Sequence, residues 1–502
     1  MRKRLFSLVA VLVLLAVIMT VAYLKLPMKE IVVTEEGTTE VVTKYDKESV
    51  YLWYSDDALT NYLSSAAVAY NEEHGTRIVP VLQAPVDYLE TINSTTMESN
   101  VPDMYVISHD ALSKAYMAGL AKEIAMDTDT FAVSYIDQAR NAVNYKGRLL
   151  GYPLNFETST LIYNETYLKE MAIKALDAEK AALAAEGLIE AIEDASLEDD
   201  PNHGYTDEEI GSKISELLPA TIEDIKNLAN EYDAPENVDG FLSWDVTDIF
   251  YNFFFVGDAI NLGGPAGWDI NDIDIYNTSA VTSLEAYQSL NTFFSIDTDE
   301  TDYSAVIQDF IDGKLLFTIA TTDVVATLEN AKADGSFEYE YGATLIPDMS
   351  EDLETRSMSV TNCVAVSPYS SHADIAEDFA VFLTREYVDS MYAKSGKVPV
   401  ASRVNYDYGA LSIFALEYDY SYPLPKMLET ENFWVDLERT FLKVWNGEDA
   451  STELKALSEQ LIYQITGEKV ELDYISVGEE EEIEYLDEEE YVRQAQSDSE
   501  DN

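Results

Sequence analysis

GYPLNFETSTLIYN, residues Gly151 to Asn164, sets the apolar side chains of Tyr152, Leu154 and Phe156 alternately against Pro153, Asn155 and Glu157. A two-residue period of this kind marks a strand with one apolar and one polar face. Pro153 argues against a central strand, because it has no N–H to give to a ladder. The expectation is a short, proline-broken strand that carries a carboxylate, Glu157, just before the apolar run Leu161, Ile162 and Tyr163.

Upstream, Ser49-Val50-Tyr51-Leu52-Trp53-Tyr54 reads as a strand that stops at Ser55-Asp56-Asp57. Leu59, Tyr62, Leu63, Ala66 and Tyr70 then fall on one helical stripe, with Gly75 placed to end it. Ile78 to Leu82 is a second strand, Tyr88 to Met97 a helix, and Met104 to Ile107 a third strand. Strands alternating with helices predict βαβ units on a mostly parallel sheet.

Downstream, residues 166–217 change character. MAIKALDAEKAALAAEGLIEAIED places Ile173, Leu176, Leu183, Leu188 and Ile192 at helical spacing and reads as a solvent-exposed helical insertion, with a partner-binding helix as the alternative. LEDDPNHGYTDEE reads as an acidic loop that breaks it. The alternation resumes at Thr221. Ser371 is placed to cap a helix with Ile375, Phe379, Phe382 and Leu383 inward. A last helical pair spans Glu431 to Trp445 and Thr452 to Ile465, and the tail beyond 468, above all the charge run from Gly478, is expected to be disordered.

A chain of 502 residues has room for two or more domains with sizeable cores. Its 94 acidic residues against 31 basic ones, a formal charge of −63, exclude nucleic acid as a natural partner, because phosphate binding needs clustered Lys and Arg. The single cysteine, Cys363, excludes an intramolecular disulfide and a Cys-rich metal site, and its apolar neighbours make it a small buried hydrophobe. His74, His109, His203 and His372 lack ligand spacing, and Asp269 to Asp274 lacks the glycine and spacing of a calcium loop, so neither metal nor cofactor is expected.

Arg2-Lys3-Arg4 precedes an uncharged run from Leu5 to Leu24, long enough to cross a bilayer. Residues 1–25 therefore read as an uncleaved signal anchor, or alternatively as a signal peptide cut after Thr20-Val21-Ala22. Either places the rest of the chain outside the cytoplasm. Residues 26–47 read as a polar stalk.

Polar stops follow several strands: Asp56-Asp57, then Ser108-His109-Asp110, then Glu157. In open α/β sheets, ligands bind beyond the carboxyl ends of strands. Ionised carboxylates accept strong hydrogen bonds from sugar hydroxyls, and aromatic faces cover the apolar face of a pyranose. The plain alternative is that Asp at a strand end is a helix cap.

Several segments in order carry a resemblance: VYLWYSDD, VPDMYVISHD with AGLAKEI, YKGRLLGYPLNFETSTLIYN, GKLLFTIATTD, ADIAEDFAVFL, GKVPVAS, and ENFWVDLERTF with WNGEDASTELKAL. From about Ser49 to Ile465 the chain resembles the extracellular solute-binding proteins of ABC importers, most closely the maltose/maltodextrin-binding branch. The resemblance implies an α/β, two-lobed, periplasmic-binding-protein-like (type II) fold with hinge strands and an interlobe cleft. Lobe 1 would comprise 48–155 and 358–404, and lobe 2 would comprise 156–357 and 405–468. Asp57, Asp110 and Glu157 match sugar-binding carboxylates, and Trp434 matches a stacking tryptophan. His109 matches a supporting histidine. Asp245 falls near a second-lobe glutamate, with Trp244 beside it as an alternative aromatic. Three positions depart from the pattern: Ile107 and Asp323 stand where the family has tryptophan, and Ala111 where it has arginine. The implied function is capture of a mono- or oligosaccharide by a monomer that catalyses nothing and delivers its ligand to an ABC permease. A secreted carbohydrate-active hydrolase using Glu157 and Asp110, and a ligand-sensing partner of a membrane receptor, are the other readings.

Overall fold

A computed structural model describes residues 28–33, 39–44, 49–96, 101–187, 200–404, 406, 408–430 and 432–477. The expected anchor, the acidic run from 478, and Leu188 and Ile192 of the insertion lie outside these residues. Among the described residues no helix is long and apolar enough to cross a membrane.

β1 (Met28–Val33) and β2 (Thr39–Lys44) pair as an antiparallel ribbon within the expected stalk. β3 (Ser49–Tyr54), β4 (Arg77–Leu82) and β5 (Met104–Ser108) follow, then the small hairpin of β6 (Asn144–Tyr145) and β7 (Arg148–Leu149). β8 (Tyr152–Asn164) is next, with β9 (Gly240–Ser243), the pair β10 (Asn261–Leu262) and β11 (Ile273–Asp274), and β12 (Leu315–Thr321). β13 (Tyr341–Thr344), β14 (Met358–Val366), β15 (Val398–Pro399) and β16 (Tyr422–Pro423) complete the set. The main sheet runs β4-β3-β5-β14-β8-β12-β9, with β13 and β15 also paired to β8 and β16 to β14.

β3, β4 and β5 are parallel, as βαβ connections require. β8 departs from the mostly parallel expectation: it is antiparallel to β14, β12, β13 and β15. Nor is it short or broken at proline. It is a continuous strand of 13 residues, and Pro153 sits inside it. Pro153 sits beside a bulge in β8 itself: Asn362 pairs with Asn155 and Cys363 with Pro153, so Leu154 is the extra residue, with no opposite number in β14. Bulges are where sheets tolerate proline. Residues 152–158 of β8 pair with β14, and 159–163 pair with β12, so one strand belongs to both halves of the sheet. Its burial is nearly complete on both faces, which is why its polar residues do not mark a solvent side.

The helix Glu165–Ala185 begins in the core rather than as a solvated insertion: Asn164 caps it through Tyr167 N, and Tyr167, Leu168, Ala172 and Ile173 are buried. Its distal part, with Leu183, is exposed. The acidic loop after it holds a capping box, Thr206 with Glu209, that starts the helix Asp207–Leu217 and buries Ile210 and Ile214. Ser371 is not the cap expected of it: the helix Ala373–Val381 starts after His372, whose N–H donates to Ser370 Oγ at 2.9 Å. The start of the tail also differs from a solvated run. Leu472 N donates to Glu459 Oε1 at 2.9 Å and Ile475 N to Tyr276 OH at 2.8 Å, while Ile475 and Val477 pack on the second-half core.

Glu417, on the helix Gly409–Tyr420, is buried. Its Oε1 accepts from Ser357 Oγ at 2.6 Å and its Oε2 from Ile346 N at 3.0 Å. Burial raises its pKa from 4.5 to about 7, with the Asp348 charge adding to the rise and the two hydrogen bonds opposing it. Between those values the folded protein holds a proton that the unfolded chain has released, so stability falls as pH rises through that window. In Glu417→Gln that slope is expected to vanish. Thermal melts should show the Tm of the variant climbing relative to the parent from about pH 5 to about pH 8.

A polar cleft built on one strand

Side chains at alternate positions of a strand share a face, and residues paired across an antiparallel ladder share it too. On β8 that face carries Asn155, Glu157 and Ser159. Asn155 pairs with Asn362, Asn362 pairs with Ser108 of β5, and Ser159 pairs with Thr321 of β12. A polar track therefore crosses the sheet from Ser108 to Thr321 with Glu157 at its middle. Asn155 and Ser159 are fully buried and carry polar atoms that no protein group satisfies. The opposite face carries Phe156, stacked on Tyr418 at 4.2 Å between ring centroids, and then Thr158 and Thr160, whose hydroxyls donate to Met358 O and Thr344 O.

At the first end, Asp56 terminates β3 and caps the turn Asp57–Leu59 by accepting from Ala58 N at 3.0 Å. Asp57 itself is exposed. Lys397 Nζ lies 2.6 Å from Glu157 Oε1 and 3.1 Å from Asp56 Oδ2. Burial alone lowers the pKa of Lys397, but the charges and hydrogen bonds of Glu157 and Asp56 outweigh it, and the net shift is upward. Asp110 accepts from Ser108 Oγ. A cavity of about 490 Å³ opens here, lined by Asp56, Ile107, Ser108, Ala111 and Asn362 among others. Two of the positions where a smaller residue replaces the expected tryptophan and arginine thus border open volume. His109 is a strut: its ring is fully buried, Nδ1 accepts from Thr361 N at 3.0 Å, and Nε2 donates to Leu424 O at 3.1 Å. Burial and then the Lys426 charge hold its pKa well below the ordinary value, so it is neutral.

At the far end, Asp323 is exposed at the start of the helix Val324–Asp334. Its Oδ1 accepts from Thr321 Oγ1 at 2.5 Å and from Tyr303 OH at 3.2 Å. The Tyr303 ring stacks on Tyr251 with centroids 4.8 Å apart and planes 18° apart. Trp434 is half-buried, its ring edge-on to Phe253 at 5.5 Å. Tyr392 OH donates to Thr322 O at 3.4 Å and ties the helix Met391–Ser395 to this end.

Two expected site residues lie elsewhere. Trp244 is 0% exposed: its N–H donates to Asn252 Oδ1 at 2.9 Å and its ring packs on Trp445, Phe255 and Phe294, so it has no face for a ligand. Asp245 is also buried, and its oxygens accept from Thr247 N and Oγ1 and from Tyr303 N. It seats Tyr303 rather than reaching the cleft. Lys397, Tyr251 and Tyr303 were not singled out from the sequence. Among 34 tyrosines only the Asp302 cap, which starts a helix at Tyr303, marks that residue locally. Among the described residues no cluster of three or more His, Cys, Asp or Glu side chains is placed to hold a metal.

A polar track along a strand common to both halves of the sheet, with a cavity at one end and stacked tyrosines at the other, fits a two-lobed α/β protein. Solved structures share this fold. One is an extracellular solute-binding protein from Staphylococcus aureus in complex with maltose, with a TM-score of 0.65 and 18% identity over 84% of this chain and 99% of that one. Another is a cyclo/maltodextrin-binding protein complexed with maltotetraose, with a TM-score of 0.64 and 17% identity over 86% of this chain and 100% of that one. Residues 65–407 match the family of bacterial extracellular solute-binding proteins, and the chain belongs to it. Among curated relatives, a galactooligosaccharide-binding protein of Bacillus subtilis (strain 168) is 21% identical over 80% of this chain and 86% of its own length. The maltodextrin-binding protein MdxE of the same organism is 20% identical over 79% and 85%.

Proposed function

We propose that this protein captures an uncharged sugar, most simply an oligosaccharide, between two lobes on the outer side of the cell membrane and hands it to an ABC permease. The observation that carries this reading is the polar track along β8, from Ser108 and Asp110 through Glu157 to Thr321 and Asp323, with Tyr251 and Tyr303 at its far end; Trp434 joins them on the family resemblance. Asp57, Asp110, Glu157 and Asp323 accept hydroxyl hydrogens, and Trp434 with Tyr303 offers rings for the sugar face. The relatives bind galactooligosaccharide and maltodextrin, which supports an oligosaccharide without choosing between them. Ile107 and Ala111 in place of larger side chains favour a ligand other than a long maltodextrin.

The lobes would be 48–155 with 358–404 and 156–357 with 405–468, closing by bending at β8 and the other crossing strands. An N-terminal anchor would hold a monomer at the membrane. No chemistry is assigned to it: Glu157 is already engaged by an ammonium and Asp110 by a hydroxyl, the state of acceptors rather than of an acid and base flanking a bond.

A thermal-shift screen of the purified protein against mono- and oligosaccharides, with peptides, polyamines and metal ions as controls, tests the reading. A ligand that binds only the folded state raises Tm as its concentration passes Kd. A shift with one sugar series, the sugar being recovered unchanged, is the expected result. A shift with peptides or ions alone overturns the carbohydrate assignment, and cleaved sugar overturns the binding-protein assignment.

A further inference from the structure

Glu157 reaches the cleft already held. Lys397 Nζ bonds Glu157 Oε1 at 2.6 Å and Asp56 Oδ2 at 3.1 Å, so carboxylates from β8 and from the end of β3 meet on one nitrogen. The three side chains are neither buried nor free: Lys397 is 20% exposed, Glu157 35% and Asp56 37%. Lys397 is itself fixed. It follows Gly396, whose left-handed conformation ends the helix Met391–Ser395, and its N–H donates to Ser395 Oγ at 3.2 Å. It precedes β15, which pairs with β8 at Phe156 and Asn155. The ammonium thus joins three chain segments at the middle of the polar track.

An ammonium has three donors. Two are committed to Glu157 and Asp56. Each of those carboxylates keeps lone pairs that the lysine does not use, because an ionised carboxylate offers about four acceptor sites. Without the lysine, the two carboxylates would repel one another and nothing would hold them side by side.

We infer that Lys397 is a positioning residue for the ligand: its ammonium clamps Glu157 and Asp56 side by side as acceptors for the hydroxyls of an uncharged sugar. This rests on the sugar-binding reading above. The clamp also cancels one of the two negative charges.

Lys397→Met, Lys397→Arg and a control at another ion-paired lysine, Lys213→Met, test it. Among the described residues Lys213 pairs with Glu179 and Glu216, on the helices Glu165–Ala185 and Asp207–Leu217. Binding of the sugar found in the screen is measured by calorimetry, and the Tm of each ligand-free protein by thermal melts. Lys397→Met is expected to lose about tenfold or more in affinity, the scale of a hydrogen bond to a charged group. Lys397→Arg should restore most of the affinity, which lost packing alone would not predict. In the ligand-free protein, the destabilisation by Lys397→Met should be relieved by adding Glu157→Gln. Parent-like affinity in Lys397→Met overturns the inference, as does the absence of coupling to Glu157→Gln. Intact coupling in a parent that binds no sugar overturns the functional reading and leaves Lys397 a structural cross-link only.

Discussion

Glu157→Ala is expected to lower sugar affinity by about a hundredfold or more, which calorimetry would read directly. A carboxylate accepting hydroxyl bonds contributes about 1.5–3 kcal/mol per bond, and its position at the middle of the track allows more than one. The truncation also leaves the Lys397 ammonium with Asp56 alone, so that one of its N–H donors competes for the sugar oxygen that Glu157 had oriented. Glu157→Gln keeps the shape and one acceptor oxygen, and should fall between the parent and the alanine variant. Folding should be nearly untouched, because the side chain is 35% exposed and closes no part of either core. Parent-like affinity in Glu157→Ala would remove the residue from the site, and with it the polar track as the ligand surface.

Trp244→Ala is expected to do the reverse. It should cost about 3–5 kcal/mol of stability, the range for emptying a large aromatic from a core, and leave sugar affinity within about threefold of the parent. The ring lies among Trp445, Phe255 and Phe294, and Asn252 would lose the indole N–H that its Oδ1 now accepts. Denaturant melts read the first effect and calorimetry the second. A large loss of affinity without a loss of stability would put Trp244 back in the cleft.

The two tryptophans show how much of the site was legible. Trp434 follows Phe433 and precedes Leu437 and Phe441 on an amphipathic helix, a pattern that leaves it at the edge of the buried stripe. Trp244 lies in a segment with no regular period, just after the four-residue β9, and whether it faces in or out is settled by helices far along the chain. Strands β3, β4 and β5 and the helices between them were legible because their apolar spacing is local. The continuity of β8 was not. Proline in a central strand is tolerated here by a bulge at the neighbouring Leu154, which shows only against a partner some 210 positions away. Asp57 was favoured over Asp56 by the family pattern, yet it is Asp56 that turns back to cap and to meet Lys397, which lies 240 residues beyond Glu157. The Thr206–Glu209 capping box was written plainly in the sequence and was masked only by the acidity around it.

The place of β14 has a consequence for how the chain reaches this state. β14 lies between β5 and β8, and Cys363 meets Ile107 across 256 positions. As a nascent chain lengthens from its N-terminus, β5 and β8 each present an unpaired edge until residues 358–366 arrive to fill the gap. Such distant pairings make folding slow, since the loop between them must be closed before any contact rewards it. A product that ends before Met358 keeps both edges open, and unpaired edges are where partly folded chains join one another. Translation stalled between Asn164 and Met358 therefore yields a species prone to aggregate, whereas one stopped after Val366 has the strand that closes the first half.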